Sequence, residues 1–353
     1  MELRYFSKKV VEWYRLNQRS LPWRETKDPF RIWLSEIILQ QTRVNQGLPY
    51  YEKFIEAFPS VDKLAAASEQ KVLRLWQGLG YYTRARNLHK CAKMIVNSYG
   101  GSFPASYNEL LLLPGIGAYT AAAIASISFN ESVAVVDGNV YRVLSRVFGI
   151  STEINSPKGK KEFFELANQL IDKKNPAMFN QAVMEFGALF CKPVKPSCES
   201  CTFKASCFAY NNNLVASLPV KKKNKPARRR YFYYFVIQSG KSLLMSKRGK
   251  KDIWEGLYDF YLLEKTRPTK LANLVEEDAF LRKLKPVEEI EVTKNFKHLL
   301  SHQTILASFI RIKTAKKPVY MPENNEFYSI TKVASLPKSI LIERYLQKTI
   351  FFS

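Results

Sequence analysis

Four cysteines fall within one short stretch, in the pattern Cys191-x6-Cys198-x2-Cys201-x5-Cys207. Thiolates this close along a chain can wrap a compact [4Fe–4S] cube, the C-x2-C pair holding neighbouring corners. A structural zinc site ordinarily brings two close pairs separated by a longer loop, and only one close pair exists here. The spacing therefore favours a cluster held by Cys191, Cys198, Cys201 and Cys207 over zinc and over free or redox thiols. Cys91, in the helical pattern LHKCAKMIV, reads as a small buried hydrophobe.

A second arrangement capable of chemistry is LLLPGIGAYTAAAIAS, residues 111–126. A helix ending at Pro114, a turn through Gly115 and Gly117, and a helix of small residues would let backbone N–H groups approach a phosphate closely. That is the form of a helix–hairpin–helix clamp on DNA, although L-P-G-x-G also suits an ordinary helix–helix turn. Twenty residues beyond Gly117, VVDGNVYRVL puts Asp137 just before a helix. An N-cap is the plain role for aspartate there. Its carboxylate would also lie near any phosphate or sugar that the hairpin holds.

The balance of charge favours the DNA reading. The 353 residues carry 55 Lys and Arg against 31 Asp and Glu, a formal net charge of +24. Such an excess most often serves a polyanion, the plain alternative being a solvated surface that maintains solubility. The amino terminus is charged throughout and no run of 18 apolar residues occurs, so neither a signal peptide nor a membrane span is expected. An intracellular, cytoplasmic and nucleoid-associated protein, acting as a monomer, is the expectation.

The elements that must position these residues divide the chain. Residues 1–210 read as all-α, with apolar positions at helical spacing in FRIWLSEIILQQ, VDKLAAASEQKVLRLWQGLG and FFELANQLI. Val140, Val143, Leu144, Val147 and Phe148 form the clearest stripe, and Gly149 should stop that helix. Residues 211–230 read as an exposed basic linker, with seven basic residues between Lys221 and Arg230. From 231 to 353 short β-rich runs (YFYYFVIQ, SLLMSKR, TILASFIRI) mix with helical stretches at 269–283 and in SILIERYLQ, so this domain is expected to be α+β.

Together, the hairpin, the downstream Asp137 and the 191–207 cysteine loop resemble the endonuclease III superfamily of helix–hairpin–helix DNA glycosylases, over most of residues 1–210. LPWRETKDPFRIWLSEIILQQTRV and WQGLGYYTRARNL resemble its MutY branch. That resemblance implies an iron–sulfur DNA glycosylase releasing adenine mispaired with 8-oxoguanine or guanine in double-stranded DNA. It makes Glu36 the catalytic acid; alone, a glutamate in an amphipathic helix more often serves as a salt-bridge partner. By the same resemblance Trp23, Arg24, Leu39 and Gln181 line an adenine pocket. Gln41, Thr42, Leu79 and Tyr81 wedge into the duplex, extruding the base for chemistry.

One position bears on the reaction type. Relatives that cut the strand through a Schiff base carry lysine two residues after the second hairpin glycine, where this chain has Tyr119, and no lysine occurs between Lys93 and Lys158. Without an amine beside the sugar C1′, hydrolysis of the base–sugar bond alone is expected. Burial should raise the pKa of Glu36 so that it arrives protonated. Asp137 would stabilise the oxocarbenium-like sugar, with Tyr119 holding the two carboxyls.

The last domain resembles a Nudix-like module through IWEGLYDF and FKHLLSHQ, which implies that Ser301 and His302 read 8-oxoguanine. Leu300 stands where the motif usually has phenylalanine, and the glutamate spacing of a Nudix hydrolase is missing, so recognition without catalysis is expected. The competing readings are an endonuclease III-like glycosylase/lyase for oxidised pyrimidines and a non-catalytic iron–sulfur DNA-binding protein.

Overall fold

A computed structural model describes residues 3–222, 227–284, 287–300 and 302–349. Contacts divide the chain into two compact units: residues 1–66 with 87–223, and residues 67–86 with 224–353. No helix among the described residues is long and apolar enough to cross a membrane.

The first unit is helical: α1 (Leu3–Asn17), α2 (Pro29–Leu39), α3 (Val44–Ala57) and α4 (Val61–Ala66) come first. After α5 (Glu69–Leu75), which counts with the second unit, α6 (Thr83–Tyr99) crosses the division at residue 86. The unit continues with α7 (Tyr107–Leu110), α8 (Ala118–Phe129), α9 (Gly138–Phe148), α10 (Pro157–Leu170), α11 (Pro176–Leu189) and α12 (Phe208–Asn211).

Helix α9 shows why these residues choose these elements. Asp137 caps its start, accepting from the N–H groups of Asn139 and Val140, both at 2.8 Å. Val140, Val143, Leu144 and Val147 then bury one stripe against Phe6, Val10 and Phe163. Gly149 ends the helix at φ +78°, and a Cβ there would stand 2.6 Å from the Phe208 ring, so both conformation and space demand glycine. Helix α2 is different: Ile32 through Ile38 are buried on every side, the mark of a helix inside a core. Alanines in α8 let the helices around it approach closely. Helix α7 stops at Leu110, four residues before Pro114, because Leu111–Leu113 tighten into single turns.

The second unit is built on a seven-stranded sheet, β1 (Arg228–Ser239), β2 (Ser242–Lys247), β3 (Tyr258–Asp259), β4 (Tyr261–Lys265), β5 (Val287–Leu300), β6 (Gln303–Thr314) and β7 (Asn325–Ser329). Its main path runs β3-β2-β1-β6-β5, with β4 beside β1 and β7 beside β2. β1 and β6 are parallel from Arg228↔Gln303 to Ser239↔Thr314, while β5 and β6 form an antiparallel hairpin closing at Leu300↔Gln303. Alternation sends Phe235, Ile237, Ile310 and Ile312 to one face, covered by α13 (Leu271–Glu277) and α14 (Ala279–Lys283). Phe309 points the other way and stacks at 4.0 Å on Tyr345 of α16 (Ile340–Lys348). Helix α15 (Ile330–Ser335) precedes it.

Two boundaries differ from those read in the sequence. Arg228–Arg230 belong to β1, because β6 supplies their ladder partners and Glu264 receives the Arg230 fork at 2.7 and 2.6 Å. Residues 67–86 pack with the C-terminal segment: Arg86 donates to the Glu255 carbonyl at 2.7 Å, and the Tyr82 hydroxyl to that of Lys338 at 3.1 Å.

Candidate active site

Glu36 lies in the middle of α2, 8% exposed, and faces a cavity of about 190 Å3. A single ordered water needs only ~10–15 Å3 on that measure, so there is room for a ring-sized ligand. Tyr119, in the first turn of α8, and Asp137, at the start of α9, line the same cavity. Trp23, Arg24, Leu39 and Gln181, the residues expected to line an adenine pocket, are all on it, and so is Thr42, expected instead as a duplex wedge. Gln41 does not line it; it is exposed just beyond α2, with φ +55°.

The two carboxyls meet different surroundings. Desolvation pushes Glu36 up to about 7; the Tyr119 hydroxyl pulls it back down, and the charges of Asp137 and Arg24 oppose each other. Asp137 is also raised by burial, but two backbone N–H groups and the Asn139 amide, at 2.7 Å, favour its charged form. Desolvation and the neighbouring carboxylates hold the Tyr119 hydroxyl well above the usual phenol range, so it serves as a proton donor. It also lies 3.7 Å from the Met184 sulfur.

The cavity contains a carboxylate that the sequence reading missed. Glu185, 1% exposed, is forked by Arg19 at 2.8 and 2.6 Å and by Arg24 at 2.8 and 2.7 Å. Burial alone would raise it, yet the two guanidiniums hold it down at about 2. Arg24 is thus committed to Glu185 and also sits 5.6 Å from the centre of the Tyr14 ring. The Tyr14 hydroxyl donates to Gln181 Oε1 at 2.7 Å. A usable signal existed: Glu185 is four residues from Gln181, hence on its face of α11, in an otherwise apolar stretch.

The four clustered cysteines line one cavity with Arg146, Val147, Phe186 and Phe190. Among the described residues no three His, Cys, Asp or Glu side chains gather round a single point as they stand. The donor set nonetheless fits a cluster. It is all sulfur, with the Arg146 guanidinium 3.5 Å from Cys191 Sγ and the Phe203 N–H 3.4 Å from Cys201 Sγ, both able to stabilise thiolate ligands. Arg142 and Arg146, from α9, donate to the carbonyls of Cys191 at 2.7 Å and Lys192 at 2.8 Å. The helix capped by Asp137 therefore also anchors the cysteine loop.

In the hairpin, Gly115 takes φ +79° and a Cβ would lie 2.7 Å from that of Asn87; Gly117 caps α8 and would point a Cβ into open space. Backbone there is accessible to a phosphate. Leu79 and Tyr81 lie in the second unit, on a cleft of about 320 Å3 shared with Trp254, His298 and Leu300. His302 is exposed, its carbonyl accepting from the Arg228 N–H at 3.1 Å, and Ser301 lies outside the described residues.

Residues 34–172 match the HhH-GPD superfamily base excision DNA repair proteins, and residues 233–348 match the NUDIX domain. The adenine DNA glycosylase of Buchnera aphidicola subsp. Baizongia pistaciae is 35% identical over 325 residues, spanning 92% of this chain and 90% of that protein. A thermostable thymine-DNA glycosylase structure is 31% identical with a TM-score of 0.56, covering 60% of this chain and 97% of that one. A trapped endonuclease III–DNA intermediate, 22% identical, gives a TM-score of 0.53 over 60% and 97%, a likeness of fold alone.

The raised carboxyl of Glu36 has a consequence for stability. The folded state binds that proton more tightly than the unfolded chain, whose glutamate titrates near 4.5. The contribution is complete below that value and is lost as pH rises through about 7. Glu36→Gln should therefore melt above the parent at pH 8, by a margin that shrinks at pH 5; thermal unfolding at the two pH values checks it.

Proposed function

The chain belongs to the adenine DNA glycosylase family, and we propose that it hydrolyses the N-glycosidic bond of adenine mispaired with 8-oxoguanine or guanine in double-stranded DNA. The observation that carries the mechanism is Glu36, a buried carboxyl raised to about 7 beside Tyr119 and Asp137 in a ring-sized cavity. At neutral pH a substantial fraction is protonated, whereas an exposed glutamate would be almost wholly ionised. With adenine turned into the cavity, Glu36 gives its proton to N7. The C1′–N9 bond breaks and its electron pair leaves with the purine. Water then adds to C1′ and its proton returns to Glu36.

Asp137 stabilises the cationic sugar between these steps, and its hydrogen bonds keep a carboxylate available. Tyr119 holds the pair. Leu39 and Trp23 enclose the base, while Gln181 and the Glu185–Arg24 pair present polar edges. Gln41, Thr42, Leu79 and Tyr81 enter the duplex; Gly115 and Gly117 meet its backbone; Ser301 and His302 read the opposite base. Cys191, Cys198, Cys201 and Cys207 would hold a [4Fe–4S] cluster, which when bound supplies a rigid pin for the 191–207 loop.

Glu36→Gln should lower adenine release by roughly 10²–10⁴-fold while leaving duplex binding near the parent's. The parent's single-turnover rate should fall above pH 7, about ten-fold per unit once Glu36 is ionised. Rapid-quench assays on an 8-oxoguanine:adenine duplex measure both, and a rate indifferent to the substitution would remove Glu36 from the acid's role. Strand breaks should appear only after hot alkali. Tyr119→Lys should restore an amine near C1′, seen as a borohydride-trapped protein–DNA adduct that the parent does not form. Purified protein should carry about four irons per chain by metal analysis; stoichiometric zinc without iron would overturn the cluster.

A further inference from the structure

The turn that carries Leu79 and Tyr81 is held by residues more than 250 positions further along the chain, all within the second unit. Between α5 and α6 the backbone reverses with φ of +102° at Gly78, +76° at Gly80 and +50° at Tyr81. Glycine accepts such angles freely; tyrosine does not. Tyr81 is also 48% exposed, an unusual place for an aromatic ring in a disfavoured backbone state. Conformations of this kind persist where the surroundings over-determine them.

The surroundings form two layers. Within the turn, the Trp76 indole and Arg84 guanidinium both donate to the Gly80 carbonyl, at 3.0 and 3.2 Å. Arg84 also lies 5.1 Å from the Trp76 ring and 5.7 Å from that of Tyr81. Outside it, Tyr82 is 3% exposed. Its hydroxyl accepts from the Gly78 N–H at 3.4 Å and donates to the Lys338 carbonyl at 3.1 Å. The Lys338 N–H in turn donates to Gln77 Oε1 at 3.0 Å. Residues 337–338 are themselves fixed: the Pro337 carbonyl accepts from the Tyr258 N–H at 2.8 Å, and Lys338 Nζ donates to the Val333 and Leu336 carbonyls at 2.6 and 2.8 Å.

We propose that Tyr82, with Gln77, is a positioning residue: the clasp to Lys338 holds the turn so that Tyr81 projects ready for insertion. The inference rests on the reading of Tyr81 as a wedge. A wedge ordered in advance spares the enzyme from ordering it on the DNA, so the clasp acts on engagement and base extrusion. It leaves the bond-breaking step to Glu36 and Asp137.

The test uses the full chain on an 8-oxoguanine:adenine duplex under single-turnover conditions. Tyr82→Phe keeps the ring and removes the hydroxyl. The enzyme concentration for half-maximal rate should rise roughly five- to ten-fold, the scale of one or two hydrogen bonds. The rate at saturation should change by no more than about two-fold, since the chemical groups are untouched. With 2-aminopurine beside the mispair, the fluorescence rise on binding should shrink in the variant, a signal that a fall in folded fraction would not mimic at saturating enzyme. Gln77→Ala should weaken half-saturation in the same way, and adding it to Tyr82→Phe should cost less than the sum of the two. It also serves as the reading should Tyr82→Phe fail to fold.

Parent-like half-saturation and fluorescence in the folded variants would overturn the clasp, provided Tyr81→Ala is impaired. If Tyr81→Ala also matches the parent, the wedge reading falls and the clasp falls with it.

Discussion

A carboxyl placed inside an apolar helix must either find a partner or tend to keep its proton, and Glu36 is held partly protonated at neutral pH. Helix α2 is buried on nearly every side, so desolvation outweighs the stabilisation that Tyr119 offers the ionised form. The fold maintains this through packing around α2, with α8 supplying small side chains and placing Tyr119 in its first turn. The same cavity treats Asp137 differently. It sits at a helix start, where unsatisfied N–H groups favour negative charge, and Asn139 adds a further donor. The two carboxyls in one cavity thus meet different balances: burial dominates at Glu36, while helix-start N–H groups and Asn139 oppose it at Asp137.

Glu185 shows the alternative in the same cavity. It is at least as buried as Glu36, yet Arg19 and Arg24 fork onto it and hold it ionised. A lone member of such a group would be costly to leave unpaired. The three are bound together, Glu185 sharing α11 with Gln181 and Arg24 meeting the ring of Tyr14, whose hydroxyl bonds Gln181. Protonation thus follows the balance between burial, which wins at Glu36, and charged partners, which win at Glu185.

Much of this was legible in the residues. The α9 stripe, its aspartate start and its glycine end follow from helical periodicity and capping. The β-rich runs of the last domain became β1, β2 and β6, and the helical stretches became α13, α14 and α16. The matches at 34–172 and 233–348 follow the expected change from a helical to a mixed α+β architecture. Glu36 was singled out only through resemblance, because a glutamate in an amphipathic pattern looks like any surface partner until its helix is known to be enclosed. Glu185 was passed over for the converse reason, its significance lying in Arg19 and Arg24, more than 160 positions away. Arg228–Arg230 read as linker because residue type argues for solvent, whereas strand partners from β6 decide the backbone. Residues 67–86 joined the second unit through bonds to Glu255 and Lys338, which chain order does not reveal.

A chain of net charge +24 faces a particular difficulty in using a protonated carboxyl. Cations that attract DNA would, if free beside Glu36, strip its proton and mask Asp137. The distribution of charge avoids this. No lysine falls between Lys93 and Lys158, the stretch supplying Tyr119 and Asp137. Arg146 turns to the carbonyls of the cysteine loop, while Arg142 bonds that loop and Asn139, and its charge favours ionised Asp137 without stripping Glu36. Among the described residues lining the cavity, the cations are Arg19 and Arg24, both bound to Glu185. Within the cavity Glu36 and the Tyr119 hydroxyl carry exchangeable protons, and the cations that line it are already bound to Glu185. Binding and bond breaking can then be tuned by different residues, because salt and surface charge act on one and burial of α2 on the other.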